Sequence, residues 1–392
     1  GTLTMTQANH ESEQAMDFTQ GEMELALRES LDRFLTDTYD FQARRRHLSD
    51  ANLQRELWQA LAGLGVLGAA ISDAHGGLGG GAAEINAVMA CLGRHLAGVP
   101  YLSTVVMGAS FLRDAPGDLA SATLAAIAAG TVIIAIAHGE ERAGPDIVHI
   151  ATTARSVGAG YVLDGHKTVV LDAPLADKFI VSARTAGKSG DSAGISVFLV
   201  DAATAGLRQT AYRTIDGGHA ADVSFDQVFV PASALIGDEG QGFEQIERVM
   251  DEATAAICGE ACGVLQAMLD QTLAYTRQRT QFGRPLADNQ VLQHRMVDMM
   301  IETKQSVGLA MVAHLKLATP DRAATVSAAK SRIGRACRFV GQNAVQLHGG
   351  MGITDELAIS HYFRRALMID AQFGSGEHHH ARYQRLQIAP AV

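Results

Sequence analysis

Aromatic residues supply only 5% of the 392 positions, and Trp58 is the single tryptophan. That scarcity argues against a binding surface built on stacked rings. Cysteine is equally sparse: Cys91, Cys258, Cys262 and Cys337 are too few to staple a chain this long. Cys258 and Cys262, four apart, would share a helix face, but no second ligand pair lies near them, so buried apolar roles are expected and no metal site. The first residues, rich in Glu, Gln and Thr, lack the charged and apolar regions of a signal peptide, and a cytoplasmic location is the expectation. Basic residues are in deficit, with a net charge of −10, which disfavours nucleic acid as a partner. A few local arginines or helix N-termini would still suffice for an anionic small ligand.

Long hydrophobic runs are also rare. Leu119 to Ala137 carries no charge, but Ser121, Thr123, Gly130 and Thr131 interrupt it. Its first half is alanine-rich and its second half, Val132 to Ile136, is β-branched, so it reads as a helix end, a glycine break and a buried strand rather than a membrane span.

What is present is a globular composition, 47% hydrophobic, long enough for two or three domains. Helical spacing dominates residues 1–130: Leu31, Phe34 and Leu35 form one stripe, and Leu53, Leu57, Trp58, Leu61 and Leu64 another. The run His75 to Gly81 ends a helical stretch and permits a tight loop. Residues 131–237 read as short strands, with Asp164-Gly165 as a hairpin turn between Tyr161–Leu163 and His166–Val170. Ile195, Val197 and Leu199 alternate, as do Val223 and Phe225. Long helices return over 238–392, including the stripe Ile333, Cys337, Val340, Ala344 and Leu347, stopped by His348-Gly349-Gly350. Met296, Met299, Met300 and Met311 suit adaptable core or subunit packing. Helices, then strands, then helices imply segregated layers rather than alternating βαβ units.

No Walker A sequence, dinucleotide fingerprint, zinc-protease motif or G-x-S-x-G elbow is present. Two stretches stand out: Arg279-Thr280-Gln281-Phe282-Gly283-Arg284-Pro285-Leu286 and Gln346-Leu347-His348-Gly349-Gly350. An arginine near a helix end and a glycine turn after another helix can together hold an anionic dinucleotide, because guanidinium forks onto pyrophosphate and glycine lets backbone N–H groups approach. Spacing alone favours the plainer reading of a helix cap and a surface arginine.

Taken in order along the chain, these stretches resemble the flavin-dependent acyl-CoA dehydrogenases. Gly76-Gly77-Leu78-Gly79 resembles that family's amino-terminal loop, and Glu140 to Asp146 its TEPxAGSD segment. Tyr161 to Lys167 is similar to its "gyvlnGxK" strand, and Val228 to Pro231 with Leu235-Ile236-Gly237 to the exit from its β-domain. The resemblance implies an N-terminal helical domain (1–130), a middle β-barrel-like domain (131–237) and a C-terminal four-helix bundle domain (238–392). It implies FAD, an acyl-CoA substrate, a homotetramer or dimer, or a hetero-oligomer with a sister subunit, and a flavoprotein as electron acceptor. By position, Arg279, Gln281, Phe282 and Leu286 match residues that hold FAD from a neighbouring subunit. Gln346, Gly349 and Gly350 match a turn on the adenosine side, and Gly374 and Ser375 match a Gly-Thr pair near the pyrophosphate.

Three departures follow from the same comparison. Gly139 replaces a threonine and Pro145 a serine in the β-domain segment. Val169-Val170-Leu171 stands where the family has a tryptophan and a hydroxyl against the flavin. The two positions that carry the family's proton-abstracting carboxylate are Phe373 and Ala253, neither of which accepts a proton. Glu377 is the first substitute, with Glu252, Asp251 and Asp370 nearby and His378 or His379 as bases for a different oxidation. The three consecutive histidines face different ways on a helix and do not make a ligand set. The implied activity is oxidation of an acyl-CoA thioester at Cα–Cβ. The alternatives are a subunit that shares FAD without catalysing, and an oxygen-using flavoprotein of the same fold.

Overall fold

The computed structural model describes residues 19–388 apart from Arg142 and Phe282. The amino-terminal helices are α1 (Glu22–Thr38), α2 (Phe41–His47), α3 (Ala51–Gly63), α4 (Ala82–Arg94), α5 (Ala109–Leu112) and α6 (Asp118–Ala128), with a π-helical stretch at Leu102–Gly108. Asp40 and Asp50 cap α2 and α3 by accepting backbone N–H bonds from their first turns. The expected stripes face inward: Leu31, Leu35 and Leu61 are fully buried, and Trp58 nearly so. As expected from the sequence, α6 ends, Gly130 turns the chain at φ 69°, and strand β1 (Ile134–Ala137) begins. A Cβ on Gly130 would lie 2.7 Å from that of Ala62, so only glycine fits the break.

The middle region is one eight-stranded sheet. Its further strands are β2 (Thr153–Val157), β3 (Gly160–Leu171), β4 (Lys178–Arg184), β5 (Ile195–Asp201), β6 (Leu207–Arg213), β7 (His219–Pro231) and β8 (Leu235–Ile236). The order is β6-β7-β3-β2-β4-β5-β8, with β1 parallel to β4. The hairpin expected at Asp164-Gly165 is absent, because β3 runs straight through it with a bulge against β7. Gly165 serves close approach instead: a Cβ there would meet Thr152 Oγ1 at 2.5 Å. The Asp164 carboxylate accepts a hydrogen bond from the Gln227 backbone N–H at 2.9 Å, so it braces the bulge rather than a turn.

The carboxy-terminal helices are α7 (Gly242–Gln278), α8 (Gln290–Leu315), α9 (Arg322–His348), α10 (Ala358–Ala371) and α11 (Gly376–Ile388). Between α7 and α8 a short ladder joins β9 (Thr280–Gln281) to β10 (Arg284–Pro285). The α9 stripe is buried as the spacing implies, with Ile333, Cys337, Val340 and Ala344 fully inside. All four cysteines are free and buried. No helix among the described residues is long and apolar enough to cross a membrane.

Buried ions lock the three layers together. Arg365 on α10 makes a bidentate pair with Glu260 on α7, at 2.6 and 2.7 Å, and reaches Asp216 in the β6–β7 turn at 2.8 Å. Arg44 on α2 donates to the carbonyls of Leu96 and Asp216.

Candidate cofactor and active site

The turn that carries Phe373, Gly374 and Ser375 joins α10 to α11. Phe373 sits at φ 61° and Gly374 at φ 105°, and the first is a strained conformation for a bulky side chain. Buried donors hold it there. Lys330, fully inside α9, donates to the carbonyls of Asp370 at 2.9 Å and Gly374 at 2.8 Å. His379 Nε2 lies 3.0 Å from the Phe373 carbonyl, which can only accept, so that nitrogen carries the proton and Nδ1 accepts from Ser327. Burial and the nearby Lys330 push the His379 imidazole down to about 3. Sequence reasoning missed Lys330, because nothing in its neighbours on the chain marks a lysine as buried.

The substitute carboxylates are either exposed or already engaged by cationic and backbone partners. Glu377 is exposed on the first turn of α11. Asp370 is bound by Arg338 at 2.6 Å and by the Gly376 N–H. Asp251 is buried between Arg322 and Arg382, at 3.0 and 2.6 Å. Glu252 is engaged by Arg113, Arg248 and Ser110. Ala253 is fully buried, and Phe373 packs against the same apolar cluster. His378 is half-buried against Gly374, and burial, followed by Arg385 and Arg382, lowers its basicity.

The β-domain side is equally fixed. Lys167, wholly buried, donates to Glu140 at 2.8 Å, and to Ser182 and the His138 carbonyl. Burial pulls its pKa down to about 8 despite Glu140. Burial alone would raise the Glu140 carboxyl, but Lys167, Thr152 and the Ala151 N–H hold it below the usual range. The two sequence stretches are therefore two ends of one ion pair. Val169 departs from its strand at φ 52° and is 57% exposed. An exposed β-branched side chain in the left-handed region is an outlier that presents an apolar surface at the place expected to face a flavin.

The remaining candidate cofactor residues lie elsewhere. Arg279 caps the end of α7, and its carbonyl accepts from the Leu286 N–H at 2.9 Å, so Arg279, Gln281 and Leu286 form one exposed to half-exposed edge. Phe282 is outside the described residues. Tyr275, one turn earlier, stacks on His348 with centroids 4.3 Å apart, which brings the edge beside Gln346, Gly349 and Gly350. No atom lies within 4 Å of a Cβ built on either glycine, so the turn is an open cradle that fits a dinucleotide approaching from outside. Gly374 and Ser375 are not part of this cluster. Gly376, next to them, touches Ser331, which lies 18 residues before Gly349 on α9, or about 27 Å along its axis.

Two hollows lie between the packed elements, and the smaller reaches the turn through Gln372. One of about 100 Å³ at the junction of the layers is lined by Tyr101, Leu171, Asp172, Glu260, Arg365 and Gln372. Burial raises the Asp172 carboxyl to about 6 although Ser103 donates to it at 2.6 Å. The other, of about 590 Å³, has apolar walls that include Ile85, Val105, Val106 and Leu124, with Arg248 and Glu252 at α7.

Comparison with known proteins assigns this architecture. Residues 21–131, 135–228 and 240–387 match the N-terminal, middle and C-terminal domain models of acyl-CoA dehydrogenase. A probable acyl-CoA dehydrogenase of Bacillus subtilis, YngJ, is 31% identical over 338 residues, 83% of this chain and 86% of its own. The chain belongs to the acyl-CoA dehydrogenase family.

Solved structures agree with that membership. A chain of the ChsE4-ChsE5 complex of Mycobacterium tuberculosis is 29% identical with a TM-score of 0.86, covering 96% of this acyl-CoA dehydrogenase homologue and 100% of that chain. PigA in its FAD complex is 26% identical with a TM-score of 0.87, covering 95% and 99%. FAD is the cofactor of this acyl-CoA dehydrogenase-like oxidoreductase.

Proposed function

We propose that this chain takes part in oxidation of an acyl-CoA thioester at Cα–Cβ as one subunit of an assembly of unlike chains, holding FAD while a sister chain supplies the carboxylate. The observation that carries this reading is the turn itself: Phe373 and Ala253 fill the base positions, and the carboxylates around them are exposed or tied in ion pairs. Bound FAD would supply the hydride acceptor for the β-hydrogen. The chain's own part is to hold and to exclude. Phe373 and Val169 present apolar surface that keeps water from the reacting carbons, and the 590 Å³ cleft offers apolar walls for an acyl group. Arg279, Gln281 and Leu286 with Gln346, Gly349 and Gly350 form one FAD contact, and Gly374 and Ser375 form the other. Because the adenosine and pyrophosphate of one FAD are directly bonded, contacts about 27 Å apart on α9 belong to two different FAD molecules. Each FAD is then completed by a neighbouring chain. A second flavoprotein would be the electron acceptor. Similarity to a chain of the two-component ChsE4-ChsE5 complex supports this reading.

Anaerobic titration of the FAD-loaded chain with acyl-CoAs of varied length and branching tests it. No bleaching of flavin absorbance is expected from the chain alone. Bleaching is expected when a homologue with the carboxylate is co-expressed, or with Phe373→Glu. Full bleaching by the unaltered chain alone overturns the reading.

A second reading rests on Asp172, a carboxyl near neutrality in the cavity shared with Leu171 and Gln372. In it the chain oxidises substrate by itself with Asp172 as base. Bleaching by the chain alone that vanishes in Asp172→Asn supports it, whereas loss in Glu377→Gln moves the role to Glu377.

A further inference from the structure

The four cysteines do not share one environment. Cys258, Cys262 and Cys337 lie in the apolar core between α7 and α9. Cys91 sits on α4, one helical turn before His95, so the two side chains share a face. That face packs on α1, from which Asp32 projects. The His95 Nε2 to Asp32 Oδ1 distance is 2.8 Å, and the thiol, imidazole and carboxylate donor atoms all lie within 4.8 Å of one another. Among the described residues no other group of three such donors converges.

We propose that Asp32, Cys91 and His95 form a zinc-type metal site at the seam of α1 and α4, with water as the fourth ligand. Thiolate and imidazole select zinc and its chemical relatives over magnesium and calcium, and three protein donors with one water make an open tetrahedral set. Metal–ligand bonds of about 2.0–2.3 Å place tetrahedral donors about 3.3–3.6 Å apart, so the trio closes by about 1 Å through side-chain rotation. The burial pattern suits this: the cysteine is 4% exposed, while the side chains of His95 and Asp32 are 15% and 46% exposed, leaving a path for ion and water.

The protons balance. In the present hydrogen bond the imidazole carries a proton on Nε2 and donates it to the Asp32 carboxylate. On binding, that proton moves to Nδ1 and frees the Nε2 lone pair for the metal. The thiol loses its proton to solvent, so each divalent ion bound releases one proton, and thiolate plus carboxylate neutralise its charge. Burial, then Asp32, holds the metal-free thiol protonated up to about 12, which makes uptake stronger as pH rises. A bound ion would tie α1 to the end of α4, from which the chain runs through Leu96 to Tyr101 into the small cavity beside Asp172. A hydrogen bond between His95 and Asp32 alone would be indifferent to the residue at position 91.

The test is anaerobic titration of the chelator-treated, FAD-loaded chain with Co²⁺, read as a difference spectrum. One ion per chain is expected, with a thiolate-to-cobalt charge-transfer band and d–d bands to the red of the flavin. Zn²⁺ should displace the cobalt and raise the melting temperature. Cys91→Ser should abolish the charge-transfer band and weaken binding at least about tenfold. His95→Gln, at a partly exposed position the fold tolerates, should remove stoichiometric binding, while Cys258→Ser leaves all signals unchanged. Absence of the charge-transfer band in the unaltered chain, or its survival in Cys91→Ser, overturns the proposal.

Discussion

The turn at Phe373–Ser375 and the edge formed by Arg279 and Gly349 are both proposed to hold FAD, yet they are built by opposite means. At the turn, a buried lysine and a buried histidine hold three backbone carbonyls, and a bulky residue is forced to positive φ. At the edge, the side chains face solvent and the glycines have open space before them. The first region is finished within one chain and contributes to its stability. The second gains its partners only when something docks. Substitutions should therefore damage folding in one region and cofactor retention in the other.

The largest effect is expected at Lys330. Lys330→Ala leaves two buried carbonyls without a donor, and a loss of about 3 kcal/mol in chemical denaturation is expected. A loss below about 1 kcal/mol would show that water replaces the ammonium, and would weaken the contrast between the regions.

Acid comes next. His379 and His314 are 2% and 5% exposed, and burial lowers them to about 3 and about 4. Between those values and the unfolded value of about 6.5 the unfolded chain binds protons that the folded one does not, so stability falls as pH falls. Each histidine should remove about 2 kcal/mol between pH 7 and pH 5. His379→Gln should flatten the slope of melting temperature against pH in this range, and an unchanged slope would remove His379 from the account.

At the edge, Arg279→Ala should leave the melting temperature of the FAD-free chain within the effect of about 0.5 kcal/mol usual for surface changes. FAD affinity should fall at least about tenfold, as for loss of a charge-assisted contact. Equal losses in stability and affinity would erase the distinction. The smallest structural effect belongs to Gly350→Ala, where no atom meets the new methyl group. Stability should stay within about 0.5 kcal/mol, while FAD uptake measured by fluorescence slows or weakens because the backbone can no longer be approached closely.

The helical stripes were legible because their information is local: a residue at 3.6-fold spacing faces the core whatever that core is. Residues 131–137 were legible for the same reason, through β-branching after a glycine. Asp164-Gly165 was misread because Asp-Gly satisfies a hairpin turn, and equally a bulge where another strand crowds the glycine. That choice depends on Thr152, twelve residues and more away in the chain. The candidate carboxylates could be named from sequence but not ranked. Whether Asp251 or Glu252 is free depends on Arg322, Arg382 and Arg113, which come from chain-remote elements, as well as on Arg248 one turn earlier on the same helix. Lys330 and Asp172 gave no local signal, since burial of an ionisable group is a property of the whole packing.

By itself the sequence determined the succession of helices, strands and helices, and the lack of a carboxylate at Phe373 and Ala253. Each follows from residue identity or from periodicity within a few turns. Only the tertiary structure decided that Glu140 and Lys167 are one ion pair, that Asp251, Glu252 and Asp370 are held by arginines, and that the two sets of residues proposed to hold FAD sit far apart along α9. Those are facts of distance between chain-remote groups, which charge, burial and packing fix together and no local pattern encodes.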